Sequence, residues 1–229
     1  MTQPIRFEAD GRYGQVLLDR PETGNTINVE AMRSFIESLT AAHDAGIDVL
    51  KIRSTGSDFS LGRDQTEKPS GLSKRDNLSL ILEANALLTD FSGVTVAEVR
   101  GRALGFGCGV ATQCDITMAS DDSLFGFTEV LHGFAPAIVM TYLETYVSRK
   151  VAVDLLMTGR SVPAREAQEM GLVTRVVPAV ELGTTTESLV QTLLAAPASV
   201  LQQCKFFLRE IGDVSAGERG MRALDALTE

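Results

Sequence analysis

A chain of 229 residues is long enough for one large domain with a substantial buried core, and 44% hydrophobic with 22% charged residues is ordinary for a globular protein. A formal net charge of −9 argues against a nucleic-acid or anionic-membrane surface as its main business, while leaving room for a local basic patch that holds an anionic ligand. The opening "MTQPIRFEADGRYGQVLLDR" places charges too early for a secretory leader. No window approaches about eighteen uninterrupted apolar residues, so a membrane-spanning helix is not expected. Cys108, Cys114 and Cys204 show no metal-ligand spacing with the two histidines, His43 and His132. The expectation is a reduced, cytoplasmic protein without structural metal.

In chain order, "IRFEA" and "QVLLD" flank "DGRYG" and predict a β-hairpin, ended by Arg20-Pro21. Asn28 is a candidate N-cap for a helix carrying Met32, Phe35, Ile36 and Leu39 at helical spacing, with His43 near its end facing solvent. "IDVLKIRS" reads as a buried strand and "TGSDFSLGRDQ" as a glycine-punctuated loop. Residues 73–91 show a helical period, and "GVTVAEV" is another strand. A glycine stretch, a short helix and the strand "DITMAS" repeat the pattern. Beyond "SLFGFTEVLHGF" the chain turns helical through "AIVMTYLETYVS", "KVAVDLLMTG" and "PAREAQEMG". The strand "LVTRVVP" follows, then helices over 184–195 and 198–211. Strands alternating with helices predict an α/β fold of stacked β-α units, with the helical second half as a covering layer. No composition break, repeat or low-complexity tract divides the chain.

Two strand-to-helix loops stand out, "DFSLGRD" (58–64) and "ALGFGCG" (103–109). The N–H groups at a helix start are unpaired and sit at the positive end of the helix dipole. Two such loops side by side can aim two N–H groups at one oxygen and stabilise an oxyanion. Glycine permits the backbone angles and the close ligand approach this requires. Taken singly, each loop also reads as a tight turn packed on a sheet. "GFGCG" lacks the spacing of a dinucleotide fingerprint.

Five stretches in register carry a resemblance: "VLLDRPETGNTIN", "DFSLGRD", "VRGRALGFGCGVATQCDITMAS", "FGFTEVLHGFAP" and "LLMTGRSVPAREAQEMGLVTRVVP". Together they resemble the crotonase (enoyl-CoA hydratase/isomerase) superfamily over about residues 16 to 178. The resemblance implies a crotonase (ClpP-like) fold, a spiral of β-β-α units over residues 1–180 with a C-terminal helical segment over 181–229. It implies an acyl-CoA or acyl-carrier thioester as substrate, with no separate cofactor and no metal. It further implies oxyanion donors at the backbone N–H groups of Arg63 and Phe106, and a homotrimer or dimer of trimers. Ser60, Leu61, Gly62, Asp64, Gly105, Gly107, Gly109 and His132 become candidate substrate-binding positions. Family members run further at the C-terminus, so a short or open lid is expected where this chain stops at "MRALDALTE".

Hydratases of that family use two glutamates, and the position of the first is Gly109 here; the second is Glu129. One remaining carboxylate suits proton transfer between two carbons of one substrate, which resembles the isomerase branch. Glu129 lies among Phe125, Phe127, Val130, Leu131 and Phe134, an apolar run that predicts a raised pKa and a general base. The bland alternative is a surface glutamate beside a buried strand. His132 shares a face with Glu129 if their turn is helical, and otherwise packs or caps the "GFAP" turn. Asp64 reads as a loop brace, Cys108 as a small core filler. The Arg63 side chain reads as free to meet a CoA phosphate or an acyl carboxylate. Rival readings are a carboxyacyl-CoA decarboxylase, a hydratase, and a non-catalytic acyl-CoA-binding scaffold. Release of CO2, water addition, or binding without turnover would separate them.

Overall fold

The computed structural model describes residues 3–67, 71–212 and 214–228. The hairpin forms as expected from β1 (Ile5–Asp10) and β2 (Tyr13–Leu18), antiparallel from Ile5↔Leu18 to Asp10↔Tyr13. Only Gly11 and Arg12 connect them, a tighter turn than "DGRYG" suggests. Gly11 supplies the positive φ of 57° that such a turn needs. Helix α1 (Val29–Asp44) starts at Asn28, whose side chain accepts the Ala31 N–H at 2.8 Å. Its Met32, Phe35, Ile36 and Leu39 are all buried, each contributing about 1.5–3 kcal/mol. His43 does not face solvent: its ring meets Phe91 edge-on and its Nε2 lies 2.8 Å from the Leu87 carbonyl.

The chain continues through β3 (Val49–Ser54), α2 (Lys74–Thr89), β4 (Val94–Val99), β5 (Arg102–Leu104), α3 (Phe106–Gln113), β6 (Ile116–Ser120) and β7 (Leu124–Gly126). Then come α4 (Ala137–Met140), α5 (Arg149–Thr158), β8 (Ser161–Pro163), α6 (Ala164–Met170) and β9 (Arg175–Val177). Helices α7 (Leu182–Ala195), α8 (Ala198–Ile211) and α9 (Ala216–Thr228) close the described chain.

One sheet has the order β1-β2-β3-β4-β6-β9, parallel from β2 onward; a smaller one has β5-β7-β8. Successive strand pairs thus split between the sheets: β4 and β6 enter the large one, β5 and β7 the small one. The turn after β3 reaches the small sheet only through the bridge Ser60↔Ala103. This is a spiral of β-β-α units. Its inner strands are mostly buried because both faces are covered, although Lys51, Thr95, Glu98 and Thr117 interrupt their apolar runs. The main core lies under α1, α2 and α3, while α7 covers Val49, Val96 and Met118 on the other face.

One helical expectation changes. "AIVMTYLETYVS" is not one helix but α4, then a 3₁₀ turn over Leu143–Thr145. The Thr141 and Thr145 hydroxyls take the Ile138 and Tyr142 carbonyls, offering the backbone an alternative to continuous helix. The apolar stripe on α8 (Val200, Leu201, Cys204, Phe207, Leu208, Ile211) is only partly covered: Leu201 packs against the core under α7, while Val200 and Leu208 are exposed. No α8 residue is buried, and Leu208 is 71% exposed. Among the described residues no helix is long and apolar enough to cross a membrane.

Candidate active site

The two glycine loops meet edge to edge. Ser60 N–H donates to the Arg102 carbonyl (3.0 Å) and Leu104 N–H to the Ser60 carbonyl (2.8 Å). A Cβ on Gly62 (φ 88°) would stand 2.8 Å from the Leu104 carbonyl oxygen and 3.3 Å from the Phe106 nitrogen, so only glycine lets the loops touch. Gly107 packs as closely on Ser60, where a Cβ would meet the Ser60 carbonyl oxygen at 2.7 Å. Ser60, expected among the substrate contacts, is instead a buried brace: its hydroxyl donates to the Asn25 carbonyl and accepts from Gly62 N–H. Leu61 packs against Gly24.

This bracing leaves two particular amides unspent. Ile27 N–H donates to Gly62 O and Asp64 N–H to Ile27 O, which turns the Arg63 N–H to the opposite side. Phe106 is the first residue of α3, so its N–H has no partner within the helix. Neither N–H meets a backbone carbonyl among the described residues. Gly105, the N-cap of α3, adopts φ 50° and ψ −122°, a conformation that L side chains resist.

The small sheet aims Glu129 at this point. Gly105 N–H donates to the Gly126 carbonyl at the end of β7, and three residues later a 3₁₀ turn over Glu129–His132 begins. A Cβ on Gly105 would lie 3.3 Å from the Glu129 Oε1. The other oxygen, Oε2, is buried with no hydrogen-bond partner among the described residues. Burial therefore raises the Glu129 pKa; its own backbone N–H and the nearby His132 pull only partly the other way. The apolar surroundings differ in part from the sequence reading. Phe125 and Phe127 are fully buried, but Val130, Leu131 and Phe134 lie toward solvent. His132 does share the 3₁₀ turn, and is exposed.

Gly109 yields the main surprise. The space where its side chain would stand is filled by Tyr142: a Cβ there would be 2.5 Å from the phenol oxygen. Burial raises the Tyr142 pKa well above its ordinary value, and the nearby Glu129 carboxylate adds to this, so the hydroxyl stays protonated. Nothing in the sequence pointed to Tyr142, because its partner is 33 positions away (142 − 109) and its segment reads as helix. Cys108 is the expected core filler, its thiol pushed up to about 12 by burial.

The Arg63 side chain is not free. Its guanidinium donates to the Asn28 carbonyl (3.3 Å) and the Asn77 Oδ1 (2.6 Å), and burial lowers its pKa. The guanidinium that could have handled an acyl carboxylate is thus committed to the scaffold. Asp64 braces the loop as expected, accepting from Thr66 N–H (2.8 Å) and Thr66 Oγ1 (2.7 Å), which lower its pKa.

A clamp that sequence reading missed holds the two loops together. Buried Asp58 accepts from Arg102 Nε and Nη2 at 2.8 Å each and from Arg102 N–H at 3.1 Å; these bonds lower its pKa. Asn25, in left-handed geometry (φ 55°), ties the Thr55 and Asp58 carbonyls with its amide. Asp58→Ala is expected to cost about 1–3 kcal/mol of stability, since the Arg102 partner is half exposed and rehydrates. A group with a depressed folded pKa stabilises above its unfolded pKa and loses this as pH falls through the folded value. Thermal melts of parent and variant should therefore converge below the usual carboxylate range; a gap that persists there would assign the loss to packing.

Residues 9–224 match the family model described as Enoyl-CoA hydratase/isomerase. A Thermus thermophilus protein with the provisional name enoyl-CoA hydratase is 35% identical over 175 residues, spanning 73% of this chain and 69% of the relative. The 2,3-dehydroadipyl-CoA hydratase of Escherichia coli is 29% identical over 223 residues, 93% of this chain and 86% of the relative. Among solved structures, a Thermobifida fusca protein, provisionally named an enoyl-CoA hydratase and crystallised with acetoacetyl-CoA, superimposes with a TM-score of 0.88. It is 27% identical, over 98% of this chain and 93% of the other. With its β-β-α spiral, paired glycine loops and family match over nearly its whole length, this chain belongs to the enoyl-CoA hydratase/isomerase family.

Proposed function

We propose that this protein shifts a double bond in an acyl-CoA thioester, converting a 3-enoyl to a 2-enoyl form. The observation that carries the reading is the Glu129 carboxylate, buried and unpartnered at Oε2, against the loop that presents the Phe106 N–H. In this reading the Arg63 and Phe106 amides hold the thioester oxygen. Glu129 takes a proton from C2, and the electron pair moves onto that oxygen as an enolate. The enolate collapses to a C2=C3 double bond as Glu129 returns the proton at C4. Raising the carboxyl pKa toward working pH makes both transfers accessible to one group. No metal or redox cofactor enters, and coenzyme A arrives with the substrate, consistent with the acetoacetyl-CoA complex of the Thermobifida relative.

A hydratase reading is favoured by the names of the relatives, but water must then be held with one carboxylate. The decarboxylase reading loses the Arg63 guanidinium, which is tied down, and keeps only the exposed His132 to handle a carboxylate. A panel of 3-enoyl-, 2-enoyl- and carboxyacyl-CoA thioesters, read by mass and double-bond position, tests the choice. Product with unchanged mass and a moved double bond is expected; gain of water or loss of CO2 would overturn it.

The partly exposed stripe on α8, open at Val200 and Leu208, supports self-association, as the family resemblance implies. A trimer or dimer of trimers is expected by light scattering at micromolar concentration, and a monomer mass would count against it.

A further inference from the structure

We propose that Tyr142 is the residue that sets the reaction outcome, its hydroxyl filling the side-chain space beside Gly109 and keeping an activated water out of the cleft. This rests on Glu129 being the single base. Gly105 and Gly109 are four residues apart at the start of α3, with the Gly109 N–H donating to the Gly105 carbonyl at 3.0 Å. Positions so spaced share one face, with side-chain origins about 5–6 Å apart. On that face Glu129 stands over Gly105 and the Tyr142 hydroxyl stands over Gly109. The site therefore pairs one carboxylate with one phenol, in adjacent places.

The phenol is held in place rather than loosely present. Its ring packs on the main core and meets Tyr146 edge-on at 6.4 Å. Gln113, the other polar side chain near Gly109, donates its amide to the Gly109 carbonyl, so it does not compete for the space.

The chemistry follows from what each group can accept. Adding water across C2=C3 puts the water oxygen on C3 and one of its protons on C2, with no change in redox state. The attacking water must give up a proton to a base and hold its second proton against another acceptor. Glu129 is one acceptor. Tyr142 stays neutral, offering a donor and a weak acceptor, and its bulk takes the place where the second partner would stand. Proton transfer from C2 to C4 needs no such partner. Gly109 and Tyr142 thus act as a coupled pair: a side chain at 109 is admitted only when the phenol leaves.

The test measures hydration of a 2-enoyl-CoA and double-bond shift of a 3-enoyl-CoA in Tyr142→Ala, Gly109→Glu and the double variant, with circular dichroism as a fold check. Tyr142→Ala is expected to raise the ratio of hydration to shift about tenfold, the worth of one hydrogen bond to a water in the vacated space. The double variant is expected to gain about a hundredfold in hydration over Tyr142→Ala, as a second proton-handling group supplies. Gly109→Glu alone gains none of this, since its Cβ collides with the phenol. If alanine proves unstable, Tyr142→Leu clears the same space while keeping apolar bulk. A folded Tyr142→Ala or Tyr142→Leu with the parent's ratio would overturn the proposal, and so would equal hydration in Gly109→Glu and the double variant. Failure of the parent to shift any double bond would sink the isomerase reading instead. The variants' hydration rates relative to the parent would then still decide the role of Tyr142, and a fall on losing the phenol would refute it.

Discussion

Glu129→Gln is expected to lower turnover by about 10²–10⁴-fold while the fold and thioester binding persist, because it deletes the proposed base and little else. The Glu129 carboxylate braces no other residue among the described ones: Oε2 is buried without a partner, and Oε1 faces Gly105. The stability consequence has a definite sign. Burial raises the folded pKa of Glu129, so its contribution is present below the unfolded pKa and is lost as pH rises through the folded value. Near neutral pH the parent carries a buried carboxylate that the glutamine variant does not, and the variant should melt no lower than the parent. In the parent, the acid limb of kcat/KM should lie above the ordinary glutamate range, since protonation removes the base. Turnover within about threefold of the parent would eliminate Glu129 from the mechanism.

Arg63→Pro is expected to cost about a hundred- to a thousandfold in turnover, the usual effect of removing one oxyanion donor. Arg63→Ala keeps the N–H and should leave the chemical step largely intact. Its effect falls on stability, because the guanidinium bridges the Asn28 carbonyl and Asn77 across the start of α1 and α2. Losing those two bonds should cost about 1–3 kcal/mol in a thermal or denaturant melt. This replaces any expectation of weakened CoA affinity. Proline also perturbs the loop, so the comparison requires circular dichroism and a thioester-binding measurement on both variants. Equal loss of turnover in alanine and proline would refute the backbone assignment and make the side chain the active group.

Much of the fold was legible locally. The Asn28 cap and its apolar face, the hairpin, and the strands over 47–54 and 93–99 are short-range patterns, and each formed within a residue or two of expectation. The element that failed, "AIVMTYLETYVS", did so because two threonine hydroxyls compete for backbone carbonyls, an effect that apolar periodicity does not register. The stripe on α8 is amphipathic by its helical period, but periodicity does not reveal what covers a face.

The site divides along the same line. The sequence by itself determined the family, the two glycine loops, the candidate base Glu129, and the glycine at 109, because all of these are residue identities in contiguous motifs. Tertiary structure decided the rest. The Asp58–Arg102 clamp joins residues 44 positions apart, and the anchoring of Arg63 to Asn28 and Asn77 spans 35 and 14 positions. Above all, the space left by Gly109 is occupied by Tyr142. A missing side chain can be read from one position, but what fills its place depends on where the spiral brings the returning chain, and no local pattern encodes that contact.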